Sequence, residues 1–345
     1  MKSNAPIPSP PPGRIIADAS QLGWLNRGHQ YKLAALLCGV LFASPGFAAE
    51  PDPPPFRIGF ASSMFTDVNE NDAKAAVKVW GQMIAREQGV PTSPDPAIFK
   101  TIESMLSSLR NREVDAVATT LTEYDALRRD VRFAPIFVTY NAKKTTEQYV
   151  LLAHQDSPVK SLADLRGRSL GLHQNPRACL APLWLDTLLV QEGFKPAAGF
   201  AGKITPATKL SKVVLPAFFR QSDACLVARS GFETMAELNP HVGKQLKVIA
   251  ASPEVVPAVF VFRADYAPPF KDKLLKGVND LHKTPAGQQV LTIFHSESIE
   301  EQPATCLDSA LELLATHARL CADTNFAAAS GTSVPVARVK GEETE

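Results

Sequence analysis

Short apolar runs alternate with amphipathic stretches along most of this chain, and that alternation constrains its fold more than any other feature. Phe56 to Ala61 reads as a strand, and Asp72 to Gln88 as a helix with Ala76, Val79, Trp80 and Met83 on one face. Asn71 and Asp72 read as caps of that helix. Ile102 to Arg112 is a second helix, before a strand at Val114 to Ala118. Thr120-Leu-Thr-Glu123 has capping-box spacing and opens a helix through Arg128, followed by strands at Phe133 to Thr139 and Gln148 to His154. The pattern then repeats. A strand at Arg168 to Leu172 precedes a helix over Leu210 to Arg220, bent at Pro216, and a strand at Asp223 to Ala228. A second capping box, Ser230-Gly-Phe-Glu233, starts a helix that ends near Asn239. Strands at Lys247 to Ala251 and Ala258 to Arg263 and three closing helical patterns complete the series.

Strands alternating with helices predict a parallel α/β architecture. The pattern occurs twice, so we expect two hinged lobes with a ligand cleft between them. Residues 56–150 plus 256–321 form lobe 1 and residues 151–255 form lobe 2. Ligands of open α/β sheets sit at the carboxyl ends of strands, near helix N-termini. Four strand exits follow: Ser62 and Ser63; Thr119 and Thr120; Gln174, Asn175 and Arg177; Arg229 and Ser230. Each admits a plainer reading. Asn175-Pro176 suits a helix start, Arg177 a solvated surface, Arg229 an interlobe ion pair, Ser62 and Ser63 an ordinary turn.

The two ends differ from this middle. Residues 1–49 carry Lys32, an apolar run from Leu33 to Ala43, Pro45 and small residues, the layout of a cleaved secretory signal peptide with a long charged region ahead of it. The run falls short of the roughly 20 apolar residues of a spanning helix. Residues 50–55 are a Pro-rich leader, and residues 322–345 lack the apolar content for a core and read as a disordered tail. Export predicts a periplasmic location. The 36 Lys and Arg against 35 Asp and Glu leave no basic footprint for nucleic acid, and no spacing of Cys and His suggests a metal or cofactor.

Cys179, Cys225, Cys306 and Cys321 remain after cleavage, in a compartment that permits disulfides. Cys306 and Cys321 bracket one helical stretch, about 22 Å long against the ~5.5 Å that a disulfide spans. That pairing is excluded and the other connectivity stays open. Cys179 near a helix start invites a nucleophile reading, with His173 as base, but no orienting Asp or Asn accompanies the pair.

Four segments resemble one family. They are IESMLSSLRNREVDAV with the following Glu123-Tyr124, SPVKSLADLRGRSLGL, KVVLPAFFRQSDACLV and TPAGQQVLTIF. Together they resemble the phosphate, phosphite and phosphonate substrate-binding proteins of ABC transporters, a branch of the type II periplasmic binding proteins. The resemblance implies a solute-binding protein rather than an enzyme. Its two α/β lobes would close on a small oxyanion and deliver it, as a monomer, to a permease in the inner membrane. It adds Tyr124 to the candidate ligands. It also exposes two departures: the family's hydroxyl-rich loop is replaced by Gln174-Asn175-Pro176-Arg177-Ala178-Cys179, and a histidine position by Leu210. Alternatives on the same fold are a ligand sensor feeding a membrane kinase and an enzyme such as a cofactor-precursor synthase.

Overall fold

The computed structural model describes residues 53–66, 68–141 and 144–323, with side chains to 321. The expected signal peptide, the start of the Pro-rich leader and the tail beyond Asp323 lie outside those residues. Among the described residues, eleven strands form two mixed sheets. β1 (Ile58–Ala61), β2 (Ala97–Phe99), β3 (Ala116–Thr120) and β4 (Phe133–Tyr140) belong to the first sheet. β5 (Tyr149–His154), β6 (Ser169–His173), β7 (Lys203–Ala207), β8 (Ala224–Ala228) and β9 (Leu246–Ala251) make the second. The chain then returns to the first sheet with β10 (Ala258–Arg263) and β11 (Ser298–Gln302). The orders are β11-β4-β10-β3-β1-β2 and β7-β6-β8-β5-β9.

Neither sheet is wholly parallel. β1 runs parallel to β2 and β3, and β6 parallel to β7 and β8. β10 is antiparallel to β3 and β4, and β5 antiparallel to β8 and β9. The reason is connectivity. β5 and β10 are the strands on which the chain enters a sheet directly from the other one, so each enters against the direction of its βα neighbours.

The helices are α1 (Glu70–Gln88), α2 (Ile102–Arg110), α3 (Leu121–Leu127), α4 (Ala181–Gln191), α5 (Ala197–Phe200), α6 (Ser211–Phe218), α7 (Arg229–Leu238), α8 (Pro240–Gln245), α9 (Lys271–Asn279), α10 (Pro285–Ile293) and α11 (Asp308–Asp323). Asn69, not Asn71 or Asp72, caps α1, accepting the N–H groups of Asn71 (2.9 Å) and Asp72 (3.2 Å). Thr284 caps α10, with Pro285 in its first turn. Among the described residues no helix is long and apolar enough to cross a membrane.

Phe60, Trp80, Ile84, Phe137, Phe260 and Phe262 anchor the layer between the first sheet and α1, α9 and α10. Val213, Val214, Val227 and Phe232 seal the second sheet against α6 and α7. A third cluster, with Tyr124, Tyr149, Trp184 and Leu226, draws on both sheets. Within it, closing helix α11 packs chiefly on α4, although it lies in the segment expected to belong to lobe 1. Two crossings join the lobes, and they run side by side. Glu147 N–H donates to Val255 O (2.7 Å) and Val255 N–H to Glu147 O (2.9 Å). Tyr149 N–H donates to Ser252 Oγ (2.8 Å).

Candidate functional site

A cavity of about 990 Å³ lies between the two sheets and takes residues from both. From the first lobe come Phe60 of β1, Met64, Trp80 of α1, Val259 and Phe294; from the second come His173, Lys209, Ser230 and Met235. It therefore opens at the exits of β1, β6 and β8. On one flank the lobes touch. The 3-10 turn Ser62–Phe65 meets the turn Pro176–Ala178. Cys179 Sγ donates to Pro257 O (3.2 Å), and Arg177 Nη2 donates to His295 O (2.9 Å) beyond the C-terminus of α10. A cation beside a helix C-terminus is electrostatically favoured.

Asn175, Arg177 and Ser230 line the cavity. Asn175 also caps its turn, its Oδ1 accepting Ala178 N–H at 2.8 Å, so capping and cleft position coincide. The other expected residues lie outside the lining. Gln174 is exposed. Tyr124 is buried, packed on Phe133 with ring centroids 5.7 Å apart, and burial raises its hydroxyl above the usual tyrosine range. Thr119 is buried on β3, and its hydroxyl has no hydrogen-bond partner. Arg229 approaches Glu233 at 3.7 Å, one turn along α7. Ser62 shares its turn with Met64, which does face the cleft.

Ser63, Thr120 and Ser230 reveal why two helix N-termini do not present open anion seats: each already holds a carboxylate of the protein. Glu123 Oε2 accepts Ser63 Oγ (2.8 Å), Thr120 N–H (2.9 Å) and Thr120 Oγ1 (2.7 Å) at the start of α3. Glu147 Oε1 accepts Ser230 N–H (3.2 Å) and its Oε2 takes the Ser230 hydroxyl at the start of α7. A fixed carboxylate satisfies the helix dipole as an external anion would. The second capping box is thus not closed by Glu233, three residues on, but by Glu147 from the interlobe crossing. That long-range partner has no local sequence signal.

The polar wall of the cleft is built largely from residues that strand-exit reasoning passed over. His173 donates from Nε2 to Thr208 O (3.2 Å), fixing its tautomer because a carbonyl can only accept. Thr208, Lys209 and Ser211 lead into α6, whose N-terminus has no side-chain cap and lines the cleft. Sequence inspection already placed a helix start at Leu210, so the strand-exit rule applied to β7 would have found them. That strand went unrecognised. Among the described residues no group of His, Cys, Asp and Glu is arranged to hold a metal ion.

Cys179 is not set up as a nucleophile. Part of the residue reaches the surface, yet its sulfur is enclosed, and burial pushes the thiol up to about 12. Cys225, fully buried on β8, is likewise pushed up to about 12, and all four cysteines of the described chain are free thiols. We predict that a thiol reagent at pH 8 labels Cys306 and Cys321 in the native protein and reaches Cys179 and Cys225 only on unfolding. Rapid native labelling of four thiols would contradict the packing.

Two mixed sheets, joined by paired crossings and facing each other across a cleft lined from both, define a two-lobed binding protein. The family model for ABC-transporter, phosphonate, periplasmic substrate-binding proteins matches residues 63–304, most of the chain, and this protein belongs to that family. The family is periplasmic, binds small ligands and serves ABC transporters. Among solved structures, XAC2383 of Xanthomonas citri bound to ATP is similar with a TM-score of 0.58 at 19% identity, over 78% of this chain and 98% of that one. A binding protein component of an ABC phosphonate transporter from Pseudomonas aeruginosa gives 0.54 at 16%, over 78% and 88%. PhnD1 of Prochlorococcus marinus in complex with methylphosphonate gives 0.53 at 13%, over 76% and 97%. At such identities the likeness is one of fold. A search of curated proteins finds no match to this sequence.

Proposed function

We propose that this chain is the monomeric substrate receptor of an ABC importer, closing its lobes over an organic phosphonate-class anion and offering the closed form to a permease. The observation that carries this reading is the cleft itself, about 990 Å³ and lined from both lobes. A ligand touching both walls favours the closed state by its differential affinity. Arg177 and Lys209 supply positive charge to the polar wall, and Asn175, Thr208, Ser211 and Ser230 supply neutral hydrogen-bonding groups. The ligands of two similar structures, methylphosphonate and ATP, share a phosphorus oxyanion borne on an organic group. No observation favours the sensing or the enzymatic alternative. Export through a signal peptide in residues 1–49 belongs to the same reading.

A panel of organic phosphonates in a thermal-shift assay tests it. A ligand at 100 times its dissociation constant adds about 2.7 kcal/mol of stability, and Lys209→Ala should weaken any phosphonate hit about tenfold. If no phosphonate raises the melting temperature, the receptor reading for this ligand class is wrong.

A further inference from the structure

The walls of the cleft are unequal, and the difference speaks to the shape of the guest. On the first lobe the wall is mainly apolar, with Phe60, Met64, Val68, Trp80, Val290 and Phe294, although Thr139, Asn141, His295 and Ser296 also line it. Phe60 and Phe294 stack with centroids 5.7 Å apart, and Phe65 tilts against both at 5.7 and 5.9 Å, so this wall is backed by an interlocked aromatic cluster. Opposite, on α7, stand Glu233, Thr234, Met235, Glu237 and Leu238. Leu238 is 83% exposed at the rim, the most exposed of the large hydrophobics in the described chain.

A small headgroup leaves most of this cleft unfilled. Methylphosphonate has about five heavy atoms and, at roughly a water's 30 Å³ share each, fills about 150 Å³, against a cleft of about 990 Å³. If the lobes closed on such a guest alone, Glu233 and Glu237 of α7 would lose water against the apolar lining, a cost that the long Arg229–Glu233 pair (3.7 Å) does little to offset. An apolar body lying on the aromatic wall would instead keep the carboxylates outward and bring Leu238 and Met235 down upon it. With the N-termini of α3 and α7 occupied by Glu123 and Glu147, the uncapped start of α6 beside Lys209 is left to meet the anionic group.

We infer that the ligand is an amphiphile: a single anionic group held near Arg177 and Lys209, attached to an alkyl or aryl body of several carbons that lies between the Phe60–Phe294 surface and Leu238. The inference rests on the cleft being the ligand site. It concerns the body of the ligand, whereas the receptor reading concerns its head.

Isothermal titration of the intact protein with methyl-, butyl-, hexyl- and octylphosphonate, and with 1-octanol, separates the two. Burial of each methylene is worth about 0.8 kcal/mol, or about fourfold in affinity, so affinity should climb steeply with chain length until the wall is covered. Leu238→Ser, at an exposed position that does not threaten folding, should weaken octylphosphonate at least threefold. Equal affinities for methyl- and octylphosphonate would overturn the inference while leaving the receptor reading intact, and an unchanged octylphosphonate affinity in Leu238→Ser would overturn the enclosure from both lobes. Octanol binding as tightly as octylphosphonate would support the apolar body and overturn the anionic head. No binding by any of the five would overturn both.

Discussion

Replacing Asp115 with alanine is expected to remove about 3–5 kcal/mol of unfolding free energy while leaving the ligand affinity of the folded protein unchanged. Asp115 stands just before β3 and is 1% exposed. Its Oδ1 accepts Arg57 Nη2 at 2.9 Å and lies 3.5 Å from Arg263 Nη2, and its Oδ2 accepts the Arg57 Nε (3.1 Å) and backbone N–H (2.9 Å). The hydrogen bond to Asp115 raises Arg57 above the ordinary guanidinium range. Arg263 is itself 5% exposed; deleting the carboxylate leaves it only the half-exposed Asp265 at 3.6 Å and Leu109 O at 3.4 Å, and breaking a buried pair by removing one partner is far costlier than the pair's net contribution. The carboxylate also clips β1 to β3 through the Arg57 main chain, at the end of the sheet away from the cleft. Urea unfolding should therefore show a lower midpoint at unchanged slope, and the melting temperature should fall by roughly 10 °C. Asp115→Asn, which keeps an acceptor but loses the charge, should fall between. A loss under 1 kcal/mol for the alanine variant would mean that Arg57 and Arg263 find water in the folded state.

The central strands were legible because their sequences meet two demands at once. β3, β5, β8 and β10 are buried on both faces or nearly so, and each reads as a continuous apolar run. The strands that escaped notice are edges. β2 is three residues long, β7 carries Pro206, and β11 is Ser-Ile-Glu-Glu-Gln. An edge strand need not donate on its outer side, so it tolerates proline, and it gains from charge because charge blocks further pairing. Those same properties erase the strand signature. The start of α2 was legible at Ile102, where Thr101 caps the helix by accepting Ser104 N–H. Asn69 was missed because Asn71 and Asp72 offer competing caps two and three residues later.

Of the candidate site, the sequence carried the strand exits that border the cleft better than the side chains that line it. The rule that ligands gather at strand exits selected Asn175, Arg177 and Ser230, which face the cleft. It also selected Thr119, whose position on β3 turns it inward, and Arg229, directed along α7. Two facts lay beyond local reading. Partners distant in sequence, Glu123 for Ser63 and Glu147 for Ser230, settle what those hydroxyls do. And the aromatic wall is made of residues whose periodicity marks them as core, because Phe60 and Trp80 serve the layer beneath α1 and the cleft surface together.

Glu147 is where hinge and cleft meet, and its removal supplies the second large expected effect. The residue is 3% exposed. Its main chain pairs the two crossings through Val255, while its carboxylate accepts Ser230 N–H and Oγ at the start of α7 and Gln148 N–H (3.1 Å). Hydrogen bonds to a charged group contribute about 1.5–3 kcal/mol each, and leaving their buried donors unpaired adds to the loss. Glu147→Ala is accordingly expected to lose about 2–4 kcal/mol and, because α7 forms one wall of the cleft, to weaken ligand binding as well. Glu147→Gln keeps an acceptor for Ser230 N–H and should lose about half as much. The alanine variant also exposes a free helix N-terminus with a serine hydroxyl, an arrangement that attracts anions. Inorganic phosphate should therefore raise its melting temperature more than it raises that of the parent protein. Equal stability and equal phosphate response in the two proteins would show that the carboxylate neither holds α7 nor fills an anion seat at its N-terminus.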